Sequence, residues 1–274
     1  MTTETRVCPI CNGTGWAPAG SSDSQAGGES SSPGVRRCDC MLDTRVQRLL
    51  KSARIPRRYE HCSFESYTFT SRTYPGTDSQ KFAKEFAKKF AEEYPLVDVG
   101  LLFIGPCGVG KTHLAVSILR SLLINKHIEC RFYDFRELLK EIQNSYNPIS
   151  QSSEMAILEP VLTVDVLLLD DLGAIKPSLW VQDTVAYILN ARYNEKRTTL
   201  LTTNFLDTEP RGPAPEDDMR RGKKDRAAQN YPVEESLTDR IGVRMRSRLF
   251  EMCRAIDMSG EDFRQVVKQA HHRF

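Results

Sequence analysis

The sequence of 274 residues lacks any long apolar run. No stretch approaches the ~20 apolar residues that a membrane-spanning helix needs, and the opening residues MTTETRVCPI contain no apolar signal core. We therefore expect a cytoplasmic protein without a membrane partner. Disulfides are rare in that compartment, so the eight cysteines need another explanation.

A large excess of one charge is also missing. The 38 lysines and arginines nearly balance the 36 aspartates and glutamates, which leaves a net charge of +2. This balance neither favours nor excludes a nucleic-acid partner, so any basic surface must be local. Hydrophobic residues make up 40% and charged residues 27% of the chain, as is typical of globular proteins. The length suits one sizeable domain with a smaller one beside it.

Half of the cysteines cluster near the N-terminus, as Cys8, Cys11, Cys38 and Cys40. The pattern C-x2-C…C-x-C can supply four thiolates to a tetrahedral Zn²⁺ site. Unrelated free thiols are one alternative. A redox role is less favoured, because no thioredoxin-like strand–helix unit surrounds the pairs. The Ser/Gly-rich tract 21–34 has little to bury and is predicted to be a flexible loop within a zinc-binding unit over residues 1–45.

Two helical patterns lie between the cysteines and residue 95. Apolar residues recur at helical spacing over 41–54 and again over 79–94. In the second helix four aromatic residues fall four apart and form one stripe: Phe82, Phe86, Phe90 and Tyr94. We interpret this stripe as a core-facing surface rather than a binding groove. Residues 46–95 are assigned as a helical linker that leads into the next domain.

From residue 96 the sequence alternates near-continuous apolar strands with helices. That order predicts an α/β domain over 96–266, in which a parallel sheet carries helices on both faces. Residues 208–232 interrupt the pattern; they are rich in proline and mixed in charge, so we predict a disordered insertion there. Acidic residues flank its basic run RRGKKDR, which favours a solvated segment over a nucleic-acid contact. Residues 267–274 are a short tail.

The stretch FIGPCGVGKTHLAV, residues 103–116, carries the strongest motif. Gly105, Gly110, Lys111 and Thr112 fit G-x4-G-K-[ST] between a predicted strand and a predicted helix. Glycine lets the backbone wrap closely round phosphate, and the helix N-terminus adds positive charge. Lys111 is expected to reach the outer phosphates and Thr112 to ligate Mg²⁺. Cofactor contacts are assigned to the whole loop: Gly105, Pro106, Cys107, Gly108, Val109, Gly110, Lys111, Thr112 and His113.

Two later apolar strands, in VDVLLLDDLG and in LLTTN, end in polar residues. VDVLLLDDLG places Asp170 and Asp171 at a strand's C-terminal end, where open α/β sheets bind ligands. We expect Asp170 to hold Mg²⁺ and Asp171 to orient the attacking water. LLTTN ends in Asn204, whose amide is suited to sense the γ-phosphate or fix that water, although asparagine is also a common strand-ending residue.

A helix predicted over 236–248 carries a basic face. Arg240, Arg244 and Arg248 recur every four residues and so are expected to share one side of the helix. Such a face can simply be solvated. An arginine presented to a neighbouring subunit can instead stabilise charge on that subunit's γ-phosphate, an effect of about 10³–10⁵ in rate.

These motifs, in this order, resemble those of AAA+ ATPases, and most closely the DnaC/DnaI-type bacterial helicase loaders and the related IstB transposition helpers. The resemblance covers residues 54–266. LLLDDLG is similar to a Walker B motif, LLTTN to sensor 1 and RMRSRLFEM to an arginine-finger box, which implies Arg248 as the finger with Arg244 in support. IPRRYEHCSFESY (55–67) and GEDFR (260–264) resemble the segments that open and close the family's ATPase domain. The short C-terminus implies that a full helical lid is lacking.

The resemblance implies an ATPase that uses ATP and Mg²⁺, with catalytic roles for Lys111, Asp171, Asn204 and Arg248. A finger that serves a neighbour implies head-to-tail self-association in a ring or spiral. The implied function is loading of the hexameric replicative helicase onto single-stranded DNA, with hydrolysis as the assembly and release switch. Hydrolysis should be slow, because Asp171 is one methylene shorter than the glutamate of most AAA+ proteins.

Three other functions would use some of the same motifs. An IstB-like transposition helper is the alternative within the family, and the N-terminal zinc unit, which resembles the DnaI arrangement, favours the loader. A small-molecule kinase would leave Asn204 and Arg248 unexplained. A non-hydrolysing zinc adaptor conflicts with the intact Lys111, Thr112 and acidic pair.

Overall fold

The computed structural model of the chain describes residues 8–18, 34–69, 76–147, 153–207 and 235–268. The predicted loop 21–34, apart from its last residue, and the predicted insertion 208–232 lie outside these ranges, as does most of the tail. Among the described residues, no helix combines the length and the apolar character needed to cross a membrane.

The described chain forms seven strands and eight α-helices. The strands are β1 (Trp16–Pro18), β2 (Val35–Arg37), β3 (Gly100–Ile104), β4 (Cys130–Asp134), β5 (Val166–Asp170), β6 (Thr198–Thr203) and β7 (Cys253–Asp257). The helices are α1 (Asp39–Ser52), α2 (Asp78–Glu93), α3 (Lys111–Ser121), α4 (Phe135–Ser145), α5 (Glu154–Thr163), α6 (Leu179–Asn194), α7 (Leu237–Ile241) and α8 (Val243–Met252). Short π-helical turns follow at Leu122–Lys126 and Arg264–Lys268, and a 3₁₀ turn lies at Arg57–Tyr59.

Five strands build one parallel sheet in the order β4-β5-β6-β3-β7, while β1 and β2 pair separately as an antiparallel ribbon. The prediction of a parallel sheet is confirmed. In its register Ile104 lies opposite Thr203, and Asp134 opposite Asp170, so the carboxyl ends of the central strands meet at one edge. That edge carries the candidate site.

The sheet has a core on each face, because successive side chains of a strand point to opposite sides. Leu101 and Phe103 of β3 pack into a cluster with α2 and α3. Leu102 and Ile104 of the same strand pack into a second cluster with α4, α5, α6 and α8. Continuous burial along β3 and β5 therefore explains their unbroken apolar sequences.

The aromatic stripe of α2 differs from the prediction. Phe90 and Tyr94 are buried, but Phe86 is only half-buried and Phe82 is 56% exposed. The buried face instead runs through Ala83, Ala87 and Phe90, which belong to the core cluster that also contains residues of α3. The assignment of Phe82 to the core was therefore wrong.

Helix α1 crosses the predicted boundary between residues 45 and 46. Its Leu49 joins the core cluster beneath α2 and α3, as does Ala53 just beyond it, and the carbonyl of Ala53 accepts a hydrogen bond from Phe132 N of β4 (2.8 Å). The second half of α1 is thus part of the α/β domain.

Helix α5 was not predicted, and its last residues lie where a strand was expected from residue 162. The fully buried Arg192 of α6 binds the end of this helix: its guanidinium donates to the carbonyl oxygens of Val161 and Val164, each at 2.9 Å. It also donates to the carbonyl of Thr198 (2.6 Å), at the start of β6. One cation thereby satisfies carbonyls at the end of α5 and at the start of β6.

The helix predicted over 236–248 is broken into α7 and α8. Gly242 lies between them with φ of +82° and ψ of 153°. Glycine adopts this positive-φ conformation without strain because it has no Cβ. The expectation that Arg240, Arg244 and Arg248 share one helix face was therefore wrong: Arg240 belongs to α7 and the other two to α8.

Candidate nucleotide-binding site

The glycine-rich loop joins β3 directly to α3, as the motif requires. Gly110 caps the helix with φ of +97°, and a side chain there would meet the Tyr67 ring, with an added Cβ only 2.3 Å from Cε2. The buried Val109 anchors the loop, because its carbonyl accepts hydrogen bonds from Tyr67 Oη (2.7 Å) and Gln80 Nε2 (3.1 Å). The start of α3 therefore presents its N–H groups and positive dipole end in a fixed place.

Lys111 lies across this loop. Its Nζ is buried and donates to the carbonyl oxygens of Gly105 (2.8 Å) and Pro106 (2.7 Å) and to Oδ1 of Asn204 (2.7 Å). Burial lowers the pKa of Lys111 to about 8, although the nearby acidic groups act in the opposite direction. An ammonium in a poorly solvated loop is suited to exchange neutral carbonyls for anionic phosphate oxygens.

Thr112 and Asp170 meet beside Lys111. The Thr112 hydroxyl donates to Oδ1 of Asp170 (2.8 Å), and the same oxygen accepts from the Thr202 hydroxyl (2.7 Å). Burial raises the pKa of Asp170; the two hydroxyl donors lower it, and the neighbouring Asp171 adds to the increase. A hydroxyl and a carboxylate are the oxygen donors that hold Mg²⁺ in phosphate-loop ATPases, so these residues fit that ion.

Asp171 lies in the left-handed region, with φ of +60°. Its backbone N–H donates to the Thr202 hydroxyl (2.9 Å), which holds the residue in this conformation. Its Oδ1 accepts from Asn204 Nδ2 (2.6 Å), and its Oδ2 lies 3.7 Å from a guanidinium nitrogen of Arg136. Burial raises the pKa of the Asp171 carboxyl, against the effect of Arg136.

The remaining residues of the predicted loop lie in different surroundings. Pro106 and Cys107 are exposed at its tip. His113 faces away from it: its Nε2 lies 3.0 Å from the Ser63 carbonyl and 3.0 Å from Ser66 Oγ. A contact between the His113 side chain and phosphate does not follow from this geometry.

Arg248 lies apart from this group of residues. Its guanidinium donates to Asn190 Oδ1 and lies over the Tyr193 ring, 5.0 Å from the centroid, so that its contacts are with α6. Arg244 is exposed on the same helix. Arg240 stacks on Phe205, 4.4 Å from the ring centroid, directly after the end of β6.

Sequence reasoning did not single out two residues of the site. Thr202 bonds both acidic residues, and Arg136 pairs with Asp171 from the first turn of α4. Tyr59 lies close to the metal-binding candidates: burial raises the pKa of its hydroxyl, the Asp170 carboxyl adds to the increase, and the neighbouring Arg58 opposes it. The signal for Thr202 was present, since LLTTN shows a polar pair ending an apolar strand.

The segment after β7 closes against the phosphate loop. Met258 N donates to the Ile104 carbonyl (2.7 Å), and Phe263 N donates to the Gly108 carbonyl (3.3 Å). Gly108 is required here, because an added Cβ would lie 1.8 Å from Oδ1 of Asp262. The GEDFR motif is thus placed beside the phosphate loop.

The four N-terminal cysteines form a separate candidate metal site. Their sulfur atoms all lie within 4.8 Å of one another, and the closest pairs are Cys11 with Cys40 (3.4 Å) and Cys8 with Cys38 (3.8 Å). Zn–S bonds of ~2.3 Å in a tetrahedron place the sulfurs ~3.8 Å apart, so the arrangement fits Zn²⁺. Cys62, Cys130 and Cys253 are instead buried singly in the core, as expected.

Sequence comparison finds relatives that are named as helicase loaders. The replicative helicase loader DnaC of Buchnera aphidicola subsp. Schizaphis graminum is 27% identical over 161 residues, which cover 59% of this chain and 63% of that protein. DnaC of Escherichia coli K12 is 26% identical over 160 residues, covering 58% and 62%. The alignment thus spans less than two thirds of the length of these relatives.

Solved structures resemble the chain over a larger part. A crystal structure of the DnaC helicase loader, 26% identical, superposes with a TM-score of 0.55 and covers 74% of this chain and all of that one. DnaI, 24% identical, gives 0.52 and covers 76% and 94%. DnaA bound to AMPPCP and single-stranded DNA, 14% identical, also gives 0.52, over 76% of this chain and 52% of that one; like DnaI, it supports the fold alone.

The family itself is shown by a match over residues 38–209, which is more than half of the chain, to the model described as IstB-like ATP binding protein. The matched range contains the phosphate loop, the acidic pair and Asn204, and it ends before α7. It begins at Cys38, so the other half of the cysteine cluster lies outside it. This chain, with its AAA+-type α/β fold, is therefore a member of the family of IstB-like ATP binding proteins.

Proposed function

We propose that this protein is an ATP-dependent loader of the replicative DNA helicase onto single-stranded DNA. The observation that carries the proposal is the hydrogen-bonded series Lys111–Asn204–Asp171, which links a phosphate-binding cation to a carboxylate suited to orient water. Relatives named as helicase loaders align with 58–59% of this chain, which supports the proposal. Hydrolysis acts as the switch between assembly and release.

The residues of the site have separate roles in phosphate binding, metal binding and orientation of the attacking water. Lys111, protonated at neutral pH, binds the outer phosphates of ATP, while Thr112 and Asp170 hold Mg²⁺. The bound ion offsets negative charge that develops on the phosphate oxygens. Asp171 orients the attacking water, and Asn204 keeps the Asp171 carboxylate facing the γ-phosphate.

The conformation of Asp171 supports slow turnover. Aspartate tolerates the left-handed region better than glutamate does, because its short side chain can bond locally. The same short side chain reaches less far towards a water molecule. A slow ATPase of this kind works as a timed switch rather than as a motor.

Assembly depends on Arg248 serving a neighbouring copy. Within one chain its contacts are with Asn190 and Tyr193, so the finger does not complete its own site. A head-to-tail contact would place it at the next subunit's ATP and generate a ring, or a spiral if the rotation does not close. Loss of the γ-phosphate would then loosen the contact.

The decisive experiment is retention of the host's hexameric replicative helicase on the immobilised protein, with and without ATP. We expect ATP to change retention in the wild type and not in Lys111→Ala. Lys140→Ala is the matched control, because Lys140 is an exposed lysine of α4. If the wild-type protein retains no helicase either with or without ATP, the proposal is contradicted.

The same assay distinguishes the helicase loader from a transposition helper, which is the alternative function within the family. A transposition helper uses the same ATPase core, so it would also bind ATP through Lys111. It would retain a cognate transposase rather than the helicase. The relatives reported above carry loader names, which supports the loader.

A further inference from the structure

The residues that follow Asn204 attach the end of β6 to helix α7. The Phe205 ring lies beneath the guanidinium of Arg240, 4.4 Å from its carbon atom to the ring centroid. The carbonyl of Leu206 accepts a hydrogen bond from the backbone N–H of Leu237, the first residue of α7 (3.0 Å). Helix α7 is therefore held by the two residues directly after Asn204.

The turn that follows Asp171 packs against the same group. A Cβ added to Gly173 would lie 3.1 Å from Cβ of Arg240 and 3.1 Å from Cδ2 of Phe205. The turn, the end of β6 and the last part of α7 are thus in contact with one another. Closely packed groups have low compressibility, so a displacement of Asp171 or Asn204 is passed on to α7.

An ion pair attaches helix α8 to the same segment. Arg246 donates through Nε and Nη2 to the two carboxylate oxygens of Asp207, the second bond at 2.8 Å. The side chains of Asp207 and Arg246 are 17% and 29% exposed, so salt screens this pair less than a pair in open solvent. Two parallel bonds also fix the direction of the contact. The pair therefore sets the position of α8 relative to the end of β6.

The break at Gly242 makes a direct contact with α8 important. Gly242 is the one residue between α7 and α8, and small residues in such places often absorb the backbone changes of a hinge. The buried Met245 and Leu249 keep α8 on the core, but apolar contacts are non-directional. A movement of α7 alone could therefore be lost at Gly242, whereas the pair between Asp207 and Arg246 acts on α8 itself.

We propose that Asp207 and Arg246 are a positioning pair, which couples the nucleotide bound in one chain to the placement of helix α8. Asn204 is the link to the nucleotide, because its amide contacts Lys111 at the phosphate loop and the segment after it reaches Asp207. Helix α8 carries Arg248, so the pair also controls the arginine that is presented to a neighbouring copy. That last step rests on the proposed function, whereas the coupling within one chain does not.

The first test measures hydrogen–deuterium exchange in the dilute full-length protein, with either AMPPCP or ADP bound. Exchange reports local opening, so it follows α8 and the phosphate loop separately. In the wild type, AMPPCP should slow exchange relative to ADP in both places, by at least about fivefold in α8, the lower end of usual coupling between sites. Asp207→Asn keeps the side-chain shape and removes the charge. It should keep the response of the phosphate loop and lose that of α8.

A matched control loosens the same helix from another side. Glu251 is an exposed residue of α8 that accepts a hydrogen bond from the Tyr193 hydroxyl of α6. Glu251→Ala removes this contact and should keep the response of α8 to AMPPCP. Thermal unfolding of both variants completes the comparison, because a purely structural pair would lower Tm in Asp207→Asn and leave the AMPPCP response of α8 unaltered.

A second variant approaches the pair from α8. Arg246→Lys keeps the positive charge but lacks the planar fork that makes two parallel bonds. It should lose part of the α8 response, and it carries the test if Asp207→Asn does not fold.

The second test measures self-association by sedimentation velocity in AMPPCP and in ADP. For the wild type we expect the two association constants to differ by about 5- to 150-fold, the usual range for coupled sites. In Asp207→Asn their ratio should approach one, while AMPPCP still binds. Glu251→Ala is again the control and should keep the ratio.

The outcomes separate this inference from the proposed function. If AMPPCP alters exchange in the wild-type phosphate loop but not in α8, the inference is overturned. The same follows if Asp207→Asn keeps the α8 response, or if Glu251→Ala loses it equally. A wild-type protein that shows the coupling but neither self-associates nor retains the helicase contradicts the proposed function alone. A phosphate loop that responds to neither nucleotide contradicts both.

Discussion

The side-chain amide of Asn204 donates a hydrogen bond to the Asp171 carboxylate, with 2.6 Å between Nδ2 and Oδ1. The carbonyl end of the same amide accepts from Lys111 (2.7 Å). Because an amide has a donor end and an acceptor end, the cation and the anion fix its orientation together. A movement of Lys111 is therefore transmitted to Asp171 through one side chain.

Removal of this link should slow hydrolysis without preventing nucleotide binding. We expect Asn204→Ala to reduce kcat by on the order of 100-fold, because one preorganised donor is lost beside the reacting group. Steady-state ATPase kinetics and a separate ATP titration measure the two effects. Asn194→Ala, an exposed asparagine at the end of α6, serves as the control. A variant that loses ATP affinity and keeps kcat would place Asn204 in binding instead.

Asp171→Asn should bind ATP and fail to hydrolyse it. Asparagine also tolerates the left-handed conformation found here, so the backbone should be preserved while the negative charge is removed. Turnover of radiolabelled ATP and equilibrium binding to the same preparation provide the measurement. Unchanged turnover would exclude Asp171 from the mechanism.

ATP affinity should fall as the pH rises above about 8, the pKa of Lys111 in the free protein. Phosphate binding favours the protonated amine, so the protein must take up a proton on binding once Lys111 has lost it. Calorimetric titrations between pH 7 and pH 10 should show a plateau and then a decline of up to one log unit per pH unit. In Lys111→Arg the guanidinium stays charged, and this decline should disappear.

The cysteine cluster predicts one zinc ion per chain. Cys11→Ser should lose the metal, because the remaining three thiolates leave the tetrahedron open. Metal analysis of the purified protein, with a chromogenic chelator after thiol modification, gives the count. Cys62→Ala removes a buried cysteine outside the cluster and should retain the zinc. Equal zinc content in both variants would disprove the assignment.

Mixing two inactive variants tests the shared site. Lys111→Ala lacks a competent loop and Arg248→Ala lacks the finger, yet a mixed assembly contains some junctions with both groups intact. Turnover should therefore reappear on mixing. Arg254→Ala, an exposed arginine of β7, should be active alone. Cross-linking shows whether the two variants assemble with each other. If they do and ATPase activity still does not return, Arg248 has no role at a neighbouring subunit's site.

Local sequence signals predicted the parts of the site that depend on neighbouring residues. The phosphate loop is one continuous motif, and the acidic pair follows its strand directly, so chain order sufficed for both. The role of Thr202 depends instead on the register between β5 and β6, which places its hydroxyl between Asp170 and the backbone of Asp171. The polar pair at the end of LLTTN marks the position of Thr202, but the groups that Thr202 contacts follow only from the pairing of the two strands.

Two differences in the fold have specific physical causes. Pro160 interrupts an apolar stretch that periodicity could not assign, and α5 forms there because tertiary contacts satisfy its carbonyls. The basic helix is broken because Gly242 adopts a conformation with positive φ, whereas periodicity alone treats glycine as a weak helix former. In both cases the tertiary structure differs from the secondary structure that the local sequence pattern predicts.

Arg192 also affects how the protein responds to distant changes. Its guanidinium lies near the amino ends of β5 and β6, whereas Asp170 and Asn204 lie at or just beyond their carboxyl ends, roughly 17 Å away at ~3.3 Å per residue. Substitution by a neutral residue would leave several buried carbonyls without donors. Loss of these bonds is therefore expected to destabilise the sheet that carries Asp170 and Asn204, although Arg192 lies at its opposite end.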